Sequence, residues 1–303
     1  IKDLNLKDLR KIILDAKTRK NKRKKMGTLS VDKDAPLKGK FLIQMFEKSS
    51  LRTRISFYLA IKQLGGSTLT LRPDELHMGK GGESISDTAK IISSYGDIFL
   101  LRTNDDGKIS KFKSSLKIPI INGLSPSSHP AQILSDIFTI EEIKKKNISS
   151  LKICWIGDSN NVLNSLIEAS VKFNFKLHIG CPISYKPAKR VLKWLRENKN
   201  QVKIFHKPIN AIKNSDVVIT DKVISMNDKV NKIKKIKSFK NFIINLNLMK
   251  FAKKDAIFMH CLPRGSEVTN EVFNSNKSKV WQQATNRVCV QKSILLYCLK
   301  MLG

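Results

Sequence analysis

A short run of hydroxyl and guanidinium side chains is the clearest chemical signal in the chain. It comprises Ser50, Leu51, Arg52, Thr53 and Arg54, and it lies between an apolar run and a segment with helical apolar periodicity. A helix N-terminus offers unpaired backbone N–H groups and a partial positive charge, so anions bind there readily. Arg adds planar, permanently charged donors that suit phosphate oxygens. We interpret the run as a phosphate-binding turn. The alternative is an ordinary helix start that Ser50 or Thr53 caps, with its arginines in solvent.

Three further polar residues follow apolar strands in the first half of the chain. Arg102 ends the strand predicted at 97–103, and His129 and Gln132 come after the strand at 118–123 where a helix begins. Ligands of open parallel sheets bind beyond the carboxyl ends of the strands. A His can donate a hydrogen bond to a carbonyl, and a Gln can donate and accept. The alternative for His129 is a local structural role at the helix start.

A glycine-rich stretch around His77 and Lys80 predicts a mobile loop. The functional interpretation is a lid that brings one of these side chains to an anionic ligand, and the alternative is a plain surface loop.

The second half of the chain places amide and acidic side chains after its strands. Asn160 and Asn161 follow the strand that ends near Gly157, and no other glycine occurs before Gly180. A dinucleotide pyrophosphate needs glycines for close backbone approach, so this turn predicts a different ligand, such as a zwitterionic amino acid. Asp221 follows a later strand, and the residues of interest after it are Ser225, Met226, Cys261 and Leu262. The alternatives are Asp221 as a helix cap and Cys261 as a small buried apolar residue.

The alternation of strand-like and helix-like segments predicts an α/β protein with parallel sheets. We expect two domains, each a mainly parallel sheet flanked by helices, joined by long interdomain helices. The first domain is predicted at 1–134 and the second at 135–282, with a C-terminal helix at 283–303 that packs back on the first. One interdomain helix is expected at 133–146.

Composition predicts a cytoplasmic globular protein. The 303 residues are 41% hydrophobic without an apolar run of membrane-spanning length, and the first residues lack the apolar core of a secretory signal. Five cysteines without pairing or metal-ligand spacing predict reduced thiols. We expect no membrane partner.

The net charge of +32 raises the question of nucleic acid. Only 11 of the 57 basic residues are Arg, and the many lysines are scattered without interleaved aromatics. We therefore expect a solvated basic surface and no specific nucleic-acid partner. Five of the few arginines lie in or beside the motifs, where a planar guanidinium could bind a ligand: Arg52, Arg54, Arg102, Arg264 and Arg287.

The motifs together resemble the aspartate/ornithine carbamoyltransferase family, and within it the ornithine branch. The family's Ser-Thr-Arg-Thr-Arg motif corresponds to 50–54, its His-Pro-x-Gln element to 129–132, and its ornithine-branch motifs to 160–161, 221–226 and 260–263. The resemblance covers essentially the whole chain. It implies transfer of the carbamoyl group from carbamoyl phosphate to L-ornithine, giving L-citrulline and phosphate, without metal or cofactor. It also implies a homotrimer in which the loop around His77 enters the neighbouring site.

The resemblance also implies residue roles. Carbamoyl phosphate would be bound by Ser50, Leu51, Arg52, Thr53, Arg54, His77, Arg102, His129, Gln132, Cys261, Leu262 and Arg287. Ornithine would be bound by Asn161, Asp221, Ser225 and Met226. The catalytic residues would be Arg102, His129, Asp221 and Cys261, because negative charge develops on the carbonyl oxygen while the amine attacks.

The chain departs from the family pattern near both substrates. Leu51 replaces a threonine, so we expect weakened phosphate binding that retains the backbone N–H contacts. His77 stands in place of Gln, Val223 in place of Trp and Asn227 in place of Gly. The alternatives are therefore a carbamoyltransferase for putrescine or N-acetylornithine, or a non-catalytic basic polyanion-binding protein.

Overall fold

The computed structural model describes residues 1–72, 82–224 and 231–302. Three predicted site residues, His77, Ser225 and Met226, lie outside the described residues. The chain divides into two compact units. The first unit comprises residues 6–138 and 285–303, and the second comprises 1–5 and 139–284. The predicted α/β class with two parallel sheets is confirmed.

The first unit contains a four-stranded parallel sheet with the order β2-β1-β3-β4. Its strands are β1 (Phe41–Phe46), β2 (Ser67–Leu71), β3 (Ile98–Arg102) and β4 (Ile120–Leu124). Its helices are α1 (Leu6–Lys22), α2 (Leu51–Gln63), α3 (Ile85–Tyr95) and α4 (Asp106–Ser115). Two longer helices, α5 (Pro130–Lys144) and α12 (Val280–Cys298), begin in one unit and end in the other.

Strands β1 and β3 are nearly continuous apolar runs, as expected where helices cover both faces of a parallel sheet. The chain runs from β1 to β2 on one side and then places β3 on the other side of β1. The sheet therefore has its topological switch point between β1 and β3, where ligands of such sheets bind. Phe46 and Arg102 are paired at the carboxyl ends of these strands, so the turn that follows Phe46 starts beside Arg102.

The second unit contains a five-stranded parallel sheet with the order β7-β6-β5-β8-β9. Its strands are β5 (Lys152–Ile156), β6 (Lys176–Gly180), β7 (Val202–Phe205), β8 (Val217–Thr220) and β9 (Ile257–His260). Its helices are α6 (Asn161–Phe173), α7 (Lys189–Glu197), α8 (Pro208–Ile212), α9 (Lys232–Phe239), α10 (Leu246–Met249) and α11 (Asn270–Phe273).

The switch point of this second sheet lies between β5 and β8. Gly157, directly after β5, has a φ of 149°, and a Cβ there would lie 3.1 Å from the Thr220 hydroxyl at the end of β8. The close approach of the two strand ends thus requires glycine. Among the described residues, no helix is both long enough and apolar enough to cross a membrane.

Candidate active site

The turn after β1 leads directly into α2, as the motif predicts. Ser50 occupies the N-cap position with extended backbone, but its side chain accepts no hydrogen bond from the first turn of the helix. The capping alternative for Ser50 is therefore wrong, and its hydroxyl is not committed to the helix start. Leu51, which begins α2, is 69% exposed. A helix N-terminus that is not capped by its own side chain retains backbone donors for an anion.

Thr53 joins two of the predicted arginines. Its Oγ1, on a residue only 1% exposed, accepts from Arg287 Nη2 at 2.9 Å and from Arg102 Nη1 at 3.3 Å. A hydroxyl has two acceptor lone pairs and one proton, so both lone pairs of Thr53 are used and its proton remains for a third partner. The second N–H arm of Arg287 donates to Gln132 Oε1 at 2.9 Å.

The Gln132 amide is fixed at both ends. Its Oε1 accepts from Arg287, and its Nε2 donates to Asp136 Oδ1 at 2.8 Å. Asp136 is fully buried one helical turn later on α5. These two bonds fix the orientation of the Gln132 amide. Of the two hydrogens on Nε2, one is used in the bond to Asp136. Nothing in the local sequence pattern identified Asp136 as a partner, although the spacing of four residues on a helix allows it.

Positive charge accumulates around His129. Burial, and then the charge of Arg52, lowers the pKa of Arg102 to about 10. Burial, and then the charges of Arg287, Arg102 and Arg52, holds the pKa of His129 well below 6.5. His129 is only 5% exposed. The imidazole is consequently neutral at physiological pH, and three guanidinium groups surround it.

Lys48 is a further cation of this cluster that the motif did not predict. Burial, and then the charge of Arg102, lowers its pKa, whereas the neighbouring Glu47 raises it. Glu47 itself is held by Lys108 at 2.5 Å and by the Thr103 hydroxyl at 2.5 Å. The cluster therefore carries an excess of positive charge, which a bound anion would relieve.

A cavity of about 840 Å³ opens beside the turn. Its lining includes Ser50, Leu51 and Arg54, and it extends past Tyr58 to Arg72. The Arg54 guanidinium carbon lies over the Phe46 ring, 5.9 Å from its centre. The cavity thus adds two further arginines next to the helix start, whereas Arg102 and His129 lie outside its lining.

In the second unit, polar side chains meet at the ends of β5 and β8. Asn160 Nδ2 donates to Asp221 Oδ2 at 2.7 Å, while Asn160 Oδ1 caps α6 by accepting from the backbone N–H groups of Val162 and Leu163. Asn160 is therefore a positioning residue for Asp221. Asn161, the residue assigned to ornithine by the motif, is the first residue of α6.

A buried ion pair lies beside this group. Lys235 Nζ contacts Asp158 Oδ2 at 2.6 Å, and its side chain is only 4% exposed. Lys235 also lies over the Tyr185 ring at 5.7 Å. Lys235 belongs to a Lys-rich run, which is typical of a solvated surface, so its sequence context does not predict this pair.

The turn after β9 brings Cys261 close to Asp221. One side-chain atom each of Asp221, His260 and Cys261 lie within 4.8 Å of one another, a separation that metal ligands show. However, His260 Nδ1 accepts from the Leu262 backbone N–H at 2.8 Å, and its Nε2 is bonded to Glu267 Oε1 at 2.9 Å. Both ring nitrogens are engaged, so the imidazole as arranged offers no lone pair to a metal ion.

The structure thus brings together five predicted residues of the first unit: Arg52, Thr53, Arg102, His129 and Arg287, with Gln132 attached to them. In the second unit it brings Asp221 next to Cys261. The role of each residue remains a prediction. The residues that the motifs did not identify are Lys48, Asp136, Lys235 and Glu267. The last three are held by contacts with residues that are distant in sequence or one helical turn away.

Comparison with known proteins identifies the family. Residues 1–142 match the carbamoyl-phosphate-binding domain of aspartate/ornithine carbamoyltransferases, and residues 149–298 match the aspartate/ornithine-binding domain. The chain belongs to the aspartate/ornithine carbamoyltransferase family. The predicted family is therefore confirmed.

Relatives in this family are named ornithine carbamoyltransferase. The protein of Rhizobium meliloti (strain 1021) is 42% identical over 294 residues, which cover 96% of this chain and 94% of that protein. The protein of Staphylothermus marinus is 44% identical over 266 residues, covering 86% and 84%. The solved ornithine carbamoyltransferase of Pyrococcus furiosus superposes with a TM-score of 0.90 at 37% identity, covering 100% of this chain and 96% of that one. The anabolic enzyme of Campylobacter jejuni gives 0.86 at 34% identity, covering 98% and 96%.

Proposed function

We propose that the protein is an ornithine carbamoyltransferase, which transfers the carbamoyl group from carbamoyl phosphate to the side-chain amine of L-ornithine and releases L-citrulline and phosphate. The observation that carries this proposal is the cluster of Arg52, Arg102 and Arg287 around the neutral, buried His129. Such a cluster suits a dianionic substrate with a reactive carbonyl. The names of the relatives support the same activity.

The phosphate would bind at the start of α2. Backbone N–H groups of the first turn, the Ser50 hydroxyl and the Arg52 guanidinium would donate to its oxygens. The Thr53 hydroxyl, whose lone pairs are taken by Arg102 and Arg287, would direct its proton to the same anion. Because Leu51 has no hydroxyl, one side-chain donor of the family pattern is missing.

The carbonyl oxygen of carbamoyl phosphate would face Arg102 and His129. Attack by an amine converts this carbonyl into a tetrahedral intermediate whose oxygen carries negative charge. Arg102 offers a fixed positive charge, and the neutral His129 offers one N–H donor. A neutral imidazole donates without adding a titrating charge near neutral pH. The Gln132 amide, oriented by Arg287 and Asp136, would hold the planar carbamoyl group with one face turned toward the attacking amine.

Ornithine would be bound by residues of the second unit. Asn161, Asp221, Ser225 and Met226 would contact its amino-acid end. Asp221, held by Asn160, and Cys261 would orient the side-chain amine. This amine must lose its proton before it can attack, and positioning of the two substrates would supply much of the rate.

We propose a cytoplasmic homotrimer without metal or cofactor that serves arginine biosynthesis. Light scattering of the purified protein tests the trimer directly.

A substrate panel tests the activity. Carbamoyl phosphate is supplied with L-ornithine, putrescine, N-acetylornithine or aspartate, and the ureido product is quantified. We expect turnover with L-ornithine and its loss in Arg102→Gln, while Arg196→Ala, an exposed arginine on α7, serves as the control for removal of a positive charge. Preference for putrescine or N-acetylornithine would reassign the second substrate. Absence of turnover with all four amines would refute the enzyme.

A further inference from the structure

The buried pair of His260 and Glu267 lies at the base of the turn that carries Cys261 and Leu262. His260 ends β9 with a fully buried side chain, and Glu267 is 4% exposed. Their side chains meet at 2.9 Å between Nε2 and Oε1. Sequence motifs assign roles to Cys261 and Leu262, which follow His260, but none to Glu267.

The hydrogen bonds determine the tautomer of His260. Its Nδ1 accepts the backbone N–H of Leu262 at 2.8 Å, so Nδ1 carries no proton. The proton of the neutral ring is therefore on Nε2 and is donated to Glu267. Burial by itself raises the pKa of Glu267, but the hydrogen bonds from His260 and from the Gly265 N–H lower it overall, so Glu267 is a carboxylate that accepts.

Both ends of the turn are anchored to the second unit. The His260 backbone N–H donates to Gln283 Oε1 at 2.9 Å, and Thr220 pairs with His260 across β8 and β9. On the other side, the Glu267 carbonyl accepts the Ile244 N–H at 2.9 Å. The pair thus connects two fixed backbone positions.

The turn itself needs such support. Leu262 has a φ of 58°, a left-handed conformation that non-glycine residues adopt only when their surroundings enforce it. Three hydrogen bonds meet that need: the Leu262 N–H donates to the His260 ring, and Glu267 Oε1 accepts from both the ring and the Gly265 N–H.

We propose that Glu267 is a positioning residue that acts through the His260 ring to hold Leu262, and with it Cys261, in the conformation that catalysis requires. This inference rests on the proposed function, because the turn matters only if Cys261 and Leu262 meet the substrates. Glu267 itself touches neither substrate in this scheme. Its effect is on the geometry of the turn.

The test compares Glu267→Ala with Glu267→Gln. The bonds from the His260 ring and from the Gly265 N–H go to the same oxygen, Oε1, so a Gln amide oxygen in that place retains both. An Ala retains neither. The control is Glu271→Gln, which removes the charge of an exposed glutamate four residues later.

We expect Glu267→Ala to lower kcat at least tenfold while its Kd for inorganic phosphate, measured by titration calorimetry, stays within about twofold of wild type, because the phosphate-binding residues belong to the first unit. Glu267→Gln should recover most of the lost kcat. A purely structural role would instead leave kcat per folded molecule unchanged. That outcome, or a Gln variant as impaired as the Ala variant, would overturn the proposal.

Nitrogen-15 NMR of the wild-type histidines provides a readout that does not depend on variant folding. A ring protonated on Nε2 with Nδ1 as acceptor is expected for His260, and the opposite tautomer would overturn the proposal even if Glu267→Ala failed to fold. Wild-type protein without turnover in the substrate panel would refute the proposed function and this inference together. An active wild type with an unaffected Ala variant would refute the inference alone.

Discussion

Replacing Thr53 with Val removes the hydroxyl that two arginines share while preserving the shape of the side chain. Thr53 is 1% exposed and accepts from Arg287 at 2.9 Å and from Arg102 at 3.3 Å. The Val variant leaves these N–H groups without that acceptor and also removes the proton that Thr53 would donate to phosphate.

The two bonds do not contribute equally. A hydrogen bond to a charged group contributes about 1.5–3 kcal/mol, and a buried donor left unsatisfied costs a similar amount. Arg287 is only 2% exposed, so water cannot replace Thr53 there. Arg102 is more exposed and its bond is longer, so its loss costs less. We expect the free energy of unfolding to fall by about 2 kcal/mol. Loss of the Thr53 donor should weaken carbamoyl phosphate binding by a further ~2 kcal/mol, or roughly 30-fold in Kd.

The assay is urea unfolding for stability and titration calorimetry for carbamoyl phosphate, both with Thr53→Ser as the matched control. Ser keeps the hydroxyl and loses one methyl group, which costs about 1 kcal/mol of stability and none of the hydrogen bonds. The Ser variant should therefore bind like wild type. A Val variant that binds carbamoyl phosphate with wild-type Kd would refute the role of the hydroxyl as a phosphate donor.

Three further substitutions test other parts of the two sites. Arg52→Ala should lose on the order of 2 kcal/mol in phosphate affinity by calorimetry, and an unchanged Kd would contradict the phosphate assignment. Because the pKa of His129 is held well below 6.5, the unfolded chain binds a proton that the folded protein does not, and stability falls as pH drops below 6.5 with a slope approaching about 1.4 kcal/mol per pH unit. His129→Asn should remove that slope from urea unfolding between pH 7.5 and 5.5, and equal slopes would show that His129 is not buried in its neutral form. Asn160→Ala removes the cap of α6 and the donor to Asp221, so it should lower stability by about 1–2 kcal/mol and raise the KM for ornithine; a KM equal to that of wild type would separate Asn160 from that site.

The strands were predictable because each is a short apolar run with a polar turn after it. The run at 40–46 became β1 at Phe41–Phe46, and the helix expected at 133–146 became α5 at Pro130–Lys144. Burial on both faces of a parallel sheet leaves a signal in consecutive residues, so the sequence carries it locally. Element ends differ by a few residues, since capping and fraying set them.

The partners of the site residues were not predictable in the same way. Local pattern suggested Ser50 or Thr53 as a helix cap, whereas Ser50 caps nothing with its side chain and Thr53 binds Arg102 and Arg287, which lie 49 and 234 residues away. Lys235 belongs to a run that reads as solvated surface, yet it is buried against Asp158.

Residue types and their order along the chain were enough to predict the parallel α/β class and the family, and to select the arginines that we propose bind an anion, because these inferences depend on local apolar runs and on motifs of neighbouring residues. Only the tertiary structure decided which side chains interact. It keeps His129 neutral near three arginines, and it forms the hydrogen bonds of Asn160 with Asp221 and of His260 with Glu267. Each depends on side chains that the sheet order brings together at strand ends, and a linear sequence does not specify the distance between them.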